Sequence, residues 1–441
     1  MATNTATARL SDKAVKPLRT LDPTAPLDDL TWLDDTIGDA RVVAIGESAH
    51  YNGESYQLRH RLLRYLVERH GFSAYAMETG FTEGWRADNW VRGSKDTTDQ
   101  LGDVMANGMT SLMGLWTPMR AHLEWMRQHN RSAARPVGFY GIDLGGSNVS
   151  LLPGLDAAIA YLAEADPEFQ VDPSLREPVA AFAVASAFSA PAALAAYRNL
   201  APASKDALTA GLVDLVERMT GRRLEYVRRT TVDPYQRALR SLRLTIALDG
   251  LARAMARGDR QAAMFNRDAA IADTVEWILG LEDRIVLAAH NGHIQRWPGT
   301  WPGMPPATPM GMHLADRLGD GYLVVGITNG TGQTLNTGAD FYTGTLFTDL
   351  EPPEAASLDA LMAASHDGPF ATDLRLLSPA DAAAVRAVHQ QRYGNFYADL
   401  SPLDAYDIVV HLPQVTAAEP DADALAHAPR EVREPFARWG G

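Results

Sequence analysis

The chain has 441 residues, a net charge of −14 and no cysteine. That length allows one large domain with an insertion, or two domains, and the apolar share is enough for a sizeable core. The acidic balance without a basic block argues against a nucleic-acid partner, and the lack of cysteine excludes disulfides, thiolate metal ligands and a Cys nucleophile.

The N-terminus has no apolar signal core. Residues 1–35 read as a loose lead-in with a short helix near Leu27 to Leu33. Residues 36–150 read as the first part of an α/β core. Its first strand is Arg41 to Ile45, and a helix follows to about His70, capped by Gly71. A strand Phe72 to Met77 runs directly into Glu78. Helical stretches then cover Glu83 to Arg92 and Met119 to His129. A third strand, Val137 to Gly141, precedes Asp143 and a Gly-Gly turn.

Residues 151–283 show only helical spacing, as in the stripe Leu208, Leu212, Leu215 and Met219, and predict a helical insertion walling a pocket. The uncharged stretch Val179 to Tyr197 is Ala-rich and broken by Pro191, so it reads as helix packing rather than a membrane span. The expected setting is cytoplasmic, with no membrane partner; the oligomeric state is not legible. Residues 284–415 return to the α/β core. Strands are expected at Arg284 to Ala289, Tyr322 to Ile327, Gln333 to Asn336, Gly344 to Phe347, Phe370 to Leu376 and Asp407 to His411, with a helix near Leu358 to Ala364. A long loop from Trp297 to Pro309 reads as a lid or binding loop, with Trp297 and Trp301 as substrate contacts. Residues 416–441 read as a weakly held tail.

Position carries the functional reading. Glu47 and His50, Glu78, Asp143, and His290 with His293 each lie just past the end of a buried strand. If those strands are parallel neighbours, the groups meet on one sheet edge, where open α/β sheets bind ligands. Glu47 with His50 is a minimal general-base pair, and a partly desolvated Glu78 suits acid–base work. Arg59, off the Leu stripe of the first helix, suits a developing oxyanion. Arg267 and Asp268 read equally well as a helical ion pair. There is no G-x-S-x-G elbow, Walker loop, G-x-G-x-x-G or H-E-x-x-H, and Ser48 lacks the elbow's glycines.

The order GE-x-x-H, Arg nine residues on, a strand-end Glu and a late HN-x-H resembles the erythromycin esterase family. VVAIGESAH, RLLRYLVERHGFSAYAMETG, HLEWMRQHN, GFYGID, NRDAAIADTVEWIL and LAAHNGHIQR carry the likeness, and Glu54 also matches. The resemblance implies a three-layer α/β/α core with a mostly parallel sheet and a helical insertion. It implies hydrolysis of an ester or macrolide lactone by activated water, with no cofactor or required metal. The family's functional set falls on Glu47, His50, Arg59, Glu78, His290 and His293. Two positions depart: Tyr51 stands where Gly usually follows the His, and Ile271 replaces a usual Met. A Tyr beside the base is expected to reshape the pocket. Acyl transfer or cyclisation at the same site, a metal held by Glu47, Glu78, His290 and His293, and a haem-binding role are the competing readings.

Overall fold

The computed structural model describes residues 8–94, 99–184, 186–300 and 305–439. Its strands are β1 (Lys16–Pro17), β2 (Val42–Ile45), β3 (Ala74–Gly80), β4 (Gly138–Asp143), β5 (Ile285–Ala288), β6 (Tyr322–Leu335), β7 (Phe347–Leu350), β8 (Phe370–Asp373), β9 (Gln390–Tyr393), β10 (Phe396–Asp399) and β11 (Ile408–Val415). Nine of them form one sheet in the order β1-β8-β11-β6-β2-β5-β3-β4, with β7 also paired to β6. The six central strands from β11 to β4 run parallel; β1, β7 and β8 are antiparallel additions at the margins.

Alternation along each strand sorts its side chains into two layers. Val43 and Ile45 face the helix Gly53–His70 through Leu58, Leu62 and Leu66. Val42 and Ala44 face the opposite layer, where Ile271, Val275 and Ile278 of the helix Arg260–Leu279 pack with Leu314. Strand period 2 and helix period 3.6 thus build an α/β/α sandwich, the expected fold class. Residues 152–256 hold a separate apolar cluster of helices, including Leu208, Leu212 and Leu248. The helix Arg260–Leu279, expected to belong to the insertion, instead lies against the sheet.

Several margins differ from expectation. The expected strands at Tyr322 and Gln333 are one strand of 14 residues. The strand expected from Gly344 starts at Phe347, and residues 374–376 are a 3-10 turn rather than strand. The lead-in is not loose: Leu10 is fully buried, β1 extends the sheet, and Asp29 pairs with the buried Arg61 at 2.7 Å. Nor is the C-terminal stretch weakly held. Its helices Ala422–His427 and Arg430–Trp439 bury Val432 and Phe436 against Trp116, and Asp421 takes Arg120 at 2.6 Å. Among the described residues no helix is long and apolar enough to cross a membrane.

Candidate active site

Sheet order decides the site. β2, β5, β3 and β4 are consecutive and parallel, and Ile45, Ala288 and Met77 lie in one row. Glu47, Glu78 and His290 therefore all emerge one or two residues past that row, on the same edge. Gly46 permits the first turn: a Cβ there would meet the Asn291 amide oxygen at 1.9 Å. Asn291 in turn donates its backbone N–H to Glu47 O at 2.9 Å and its side-chain N–H to Ile327 O at 2.7 Å.

The His50 ring places Nδ1 2.7 Å from Glu47 Oε1, and its edge lies 5.4 Å, centroid to centroid, from His290. Nε2 of His50 has no protein partner among the described residues. Burial pulls the His50 pKa down, but the Glu47 charge and hydrogen bond outweigh it, and the net shift is upward. Burial likewise raises Glu47, yet Arg59 at 3.0 Å and His50 hold it below the ordinary carboxylate value.

Arg59 does not face the cleft as expected. It is 2% exposed and spends four N–H groups on Glu47 and on the carbonyls of Gly46, Ile45 and Ala289. It orients Glu47 instead. The cationic group on the cleft wall is Arg267, which donates to Asp143 at 2.6 and 3.0 Å, to Glu78 at 3.0 Å, and lies 3.0 Å from His293 Nε2. The carboxylates take three of its five N–H groups, one on Nε and two on Nη2, and leave those on Nη1 unused by either. Sequence reasoning does not choose between a site role and an ion pair for Arg267, because nothing local tells that its helix lies on the sheet.

Glu78 accepts the His290 backbone N–H at 2.8 Å through its other oxygen. Burial would raise its pKa, but His293, His50 and Arg267 hold it well below the usual range. His293 sits between Asp268 at 2.7 Å and Glu78 at 3.3 Å. Burial and Arg267 lower its pKa, but the two carboxylates prevail and push it up to about 10. His290 goes the other way, to about 4, through burial and the neighbouring His50. Its Nδ1 accepts Gly292 N–H and its Nε2 donates to Ser48 O at 3.0 Å, which fixes a neutral tautomer. Four carboxylates, Glu47, Glu78, Asp143 and Asp268, thus face two guanidinium groups. The deficit of positive charge is the reason two imidazoles are driven toward protonation.

Of these groups His50, Glu78, Asp143, Arg267, His290 and His293 line a cleft of about 420 Å³, together with Met113, Met264, Leu335, Tyr393 and Phe396. Asp143 reaches it as expected. Tyr51 does not: its ring stacks on Trp116 at 5.2 Å and its hydroxyl donates to Ser111 O. Its φ of 67° explains why glycine suits that position. Five of the six non-glycine residues with positive φ among those described, Tyr51, Ser111, Leu112, Ser147 and Asn148, gather on this side of the cleft, as strained backbone does at functional sites. Trp297 packs against the core rather than the cleft, and Trp301 lies outside the described residues. Ser48 donates its hydroxyl to Arg392 O at 2.8 Å and is not poised as a nucleophile. The wall formed by Tyr393, Gly394 and Phe396 belongs to the β9–β10 hairpin, which the reading missed. Its Gly394-Asn395 turn between aromatic residues was the available signal. Among the described residues no group of three or more His, Asp or Glu is arranged to hold a metal ion.

A family model described as "Erythromycin esterase" matches residues 67–415. The chain belongs to the erythromycin esterase family. The matched stretch contains Glu78, Asp143, Arg267, His290 and His293 and begins after His50. An erythromycin esterase type II from Escherichia coli is 31% identical over 337 residues, covering 74% of this chain and 77% of that protein. An erythromycin esterase type I from Escherichia coli is 27% identical over 299 residues, covering 65% and 70%. A solved structure of a mutant of the erythromycin esterase EreC, in its open conformation, shares the fold at a TM-score of 0.75 and 21% identity. It covers 92% of this chain and 98% of that one.

Proposed function

We propose that this member of the erythromycin esterase family hydrolyses a carboxylic ester, with a macrolactone as the substrate class, by attack of water activated at His50. The observation that carries the reading is the Glu47–His50 pair at 2.7 Å, with the second ring nitrogen of His50 left free beside a cleft of about 420 Å³. The names of the relatives support the substrate class. The aliphatic and aromatic wall from Met113 to Phe396, opposite the charged rim, suits a bulky apolar ester.

Neutral His50 takes a proton from water as the water oxygen attacks the ester carbonyl carbon. Glu47, held by Arg59, keeps the imidazole in the Nδ1–H tautomer and stabilises the imidazolium, a contribution of roughly 10²–10⁴ in rate. Nη1 of Arg267, which donates to neither carboxylate, receives the tetrahedral oxyanion, worth roughly 10²–10³. The C–O bond to the leaving alcohol then breaks, and that alcohol takes the proton from His50. No covalent acyl-enzyme forms. Hydrolysis of erythromycin in ¹⁸O-labelled water tests this: one labelled oxygen is expected in the product carboxylate, and none with His50→Ala. Equal turnover by His50→Ala, an unlabelled cyclised or transferred product, or a trapped ester on the protein would each defeat the reading.

A further inference from the structure

A second cavity of about 280 Å³ opens among the helices Pro202–Gly221, Arg223–Arg229, Val232–Ala256 and Arg260–Leu279. Arg223, Arg240 and Arg243 line it with Tyr235, Gln236 and Trp277, and no acidic side chain does. It shares no residue with the cleft. Trp277 follows Arg267 by ten residues on one helix, about 15 Å along the axis.

Most arginines of this acidic protein pair with carboxylates, but among the described residues these three have no such partner. The nearby acids are committed elsewhere. Asp233 pairs with Arg237 at 3.0 Å, Asp273 and Glu276 with Arg317 at 2.9 and 2.7 Å, and Glu225 with Arg222 and Arg229 at 2.7 and 2.8 Å. Arg240 is the most constrained. Its Nη2 donates only to neutral acceptors, Ala270 O at 2.7 Å and Thr274 Oγ1 at 2.6 Å, and its Nε is buried without a partner. Burial draws its pKa down to about 10, aided by Arg243 and opposed by Asp273. A half-buried guanidinium whose nearest carboxylate, Asp273, pairs with Arg317 instead is poorly compensated, and an anion from solution would relieve it.

We propose that this groove binds a small phosphate-class oxyanion, held by the guanidinium groups of Arg223, Arg240 and Arg243 with Tyr235 and Trp277 as its walls. Guanidinium forks match oxyanions in charge and geometry. Three guanidinium groups along one groove carry more donors than the two oxygens of a carboxylate accept, which favours phosphate.

The test is titration calorimetry of the full chain with inorganic pyrophosphate at low ionic strength. One saturable site is expected. Arg240→Met and Arg243→Met each weaken it roughly tenfold or more, the size of one charge-assisted hydrogen bond. Arg243 is exposed and makes no side-chain bond among the described residues, so its variant is safe for folding. Arg228→Met removes the same charge off the groove and leaves binding unchanged. No saturable binding, equal weakening by Arg228→Met, or benzoate binding as tightly as pyrophosphate overturns the proposal.

Discussion

Replacing Glu47 by Gln keeps the size of the side chain and one acceptor oxygen but removes the charge that faces His50 at 2.7 Å and Arg59 at 3.0 Å. In the native protein that charge overcomes burial and raises the His50 pKa above its ordinary 6.5. Without it burial prevails, and the pKa falls. A general base works only when unprotonated, so native kcat/KM drops as pH falls through the raised value. In the variant this acidic limb moves to lower pH. The plateau falls by roughly 10²–10⁴, or about 3–5 kcal/mol of transition-state stabilisation. Stability falls as well. Removing one partner of a buried ion pair costs about 3–5 kcal/mol, and the Gln carbonyl with the three backbone acceptors of Arg59 keeps it near about 3 kcal/mol. Unfolding entropy of about 2.1 cal/mol/K per residue gives about 0.9 kcal/mol/K for this chain, so Tm drops by about 3 °C. The assays are pH–rate profiles with erythromycin and scanning calorimetry. An acidic limb at the native pH, or a plateau within threefold of the native one, refutes the assigned pair.

Arg267→Met is expected to lower kcat by roughly 10²–10³ with a smaller change in KM, because its spare N–H acts on the oxyanion; steady-state kinetics showing a change in KM alone would remove that role. Tyr51→Gly relieves roughly 1–2 kcal/mol of left-handed strain but forfeits a stacked, buried ring worth roughly 3–5 kcal/mol. A net loss of about 2–3 kcal/mol with kcat nearly unchanged is expected, and a rise in Tm would contradict it. His293, raised to about 10, contributes stability that is complete below its unfolded value near 6.5. That contribution is lost as pH rises through about 10. Asp268→Asn flattens this fall in Tm between pH 6.5 and 10; an identical slope in both proteins would show that the pair is not its source.

The strand ends were legible because each is a short apolar run that stops at a polar group. That pattern placed Glu47, His50, Glu78, Asp143, His290 and His293 without knowing which strands are neighbours. Local spacing also exposed the Gly53–His70 helix and its Gly71 cap, whose φ of 69° needs glycine. What spacing does not encode is direction. Arg59 and Arg267 look alike in the sequence, yet one turns inward to Glu47 and its carbonyl cage while the other opens on the cleft.

The amino-acid pattern by itself determined an α/β core, a helical segment inserted into it, and acids and imidazoles just past the ends of its strands. These follow from burial and periodicity, which act over a few residues. Only the tertiary structure decided that β5 sits between β2 and β3, so that Glu47 and Glu78 flank His290. It alone carried the helix Arg260–Leu279 across the sheet to deliver Arg267 and Asp268, and it alone turned Tyr51 into the core. Those outcomes depend on contacts between residues from tens to more than a hundred positions apart, where packing volume and charge pairing, not neighbouring sequence, set the lowest free energy.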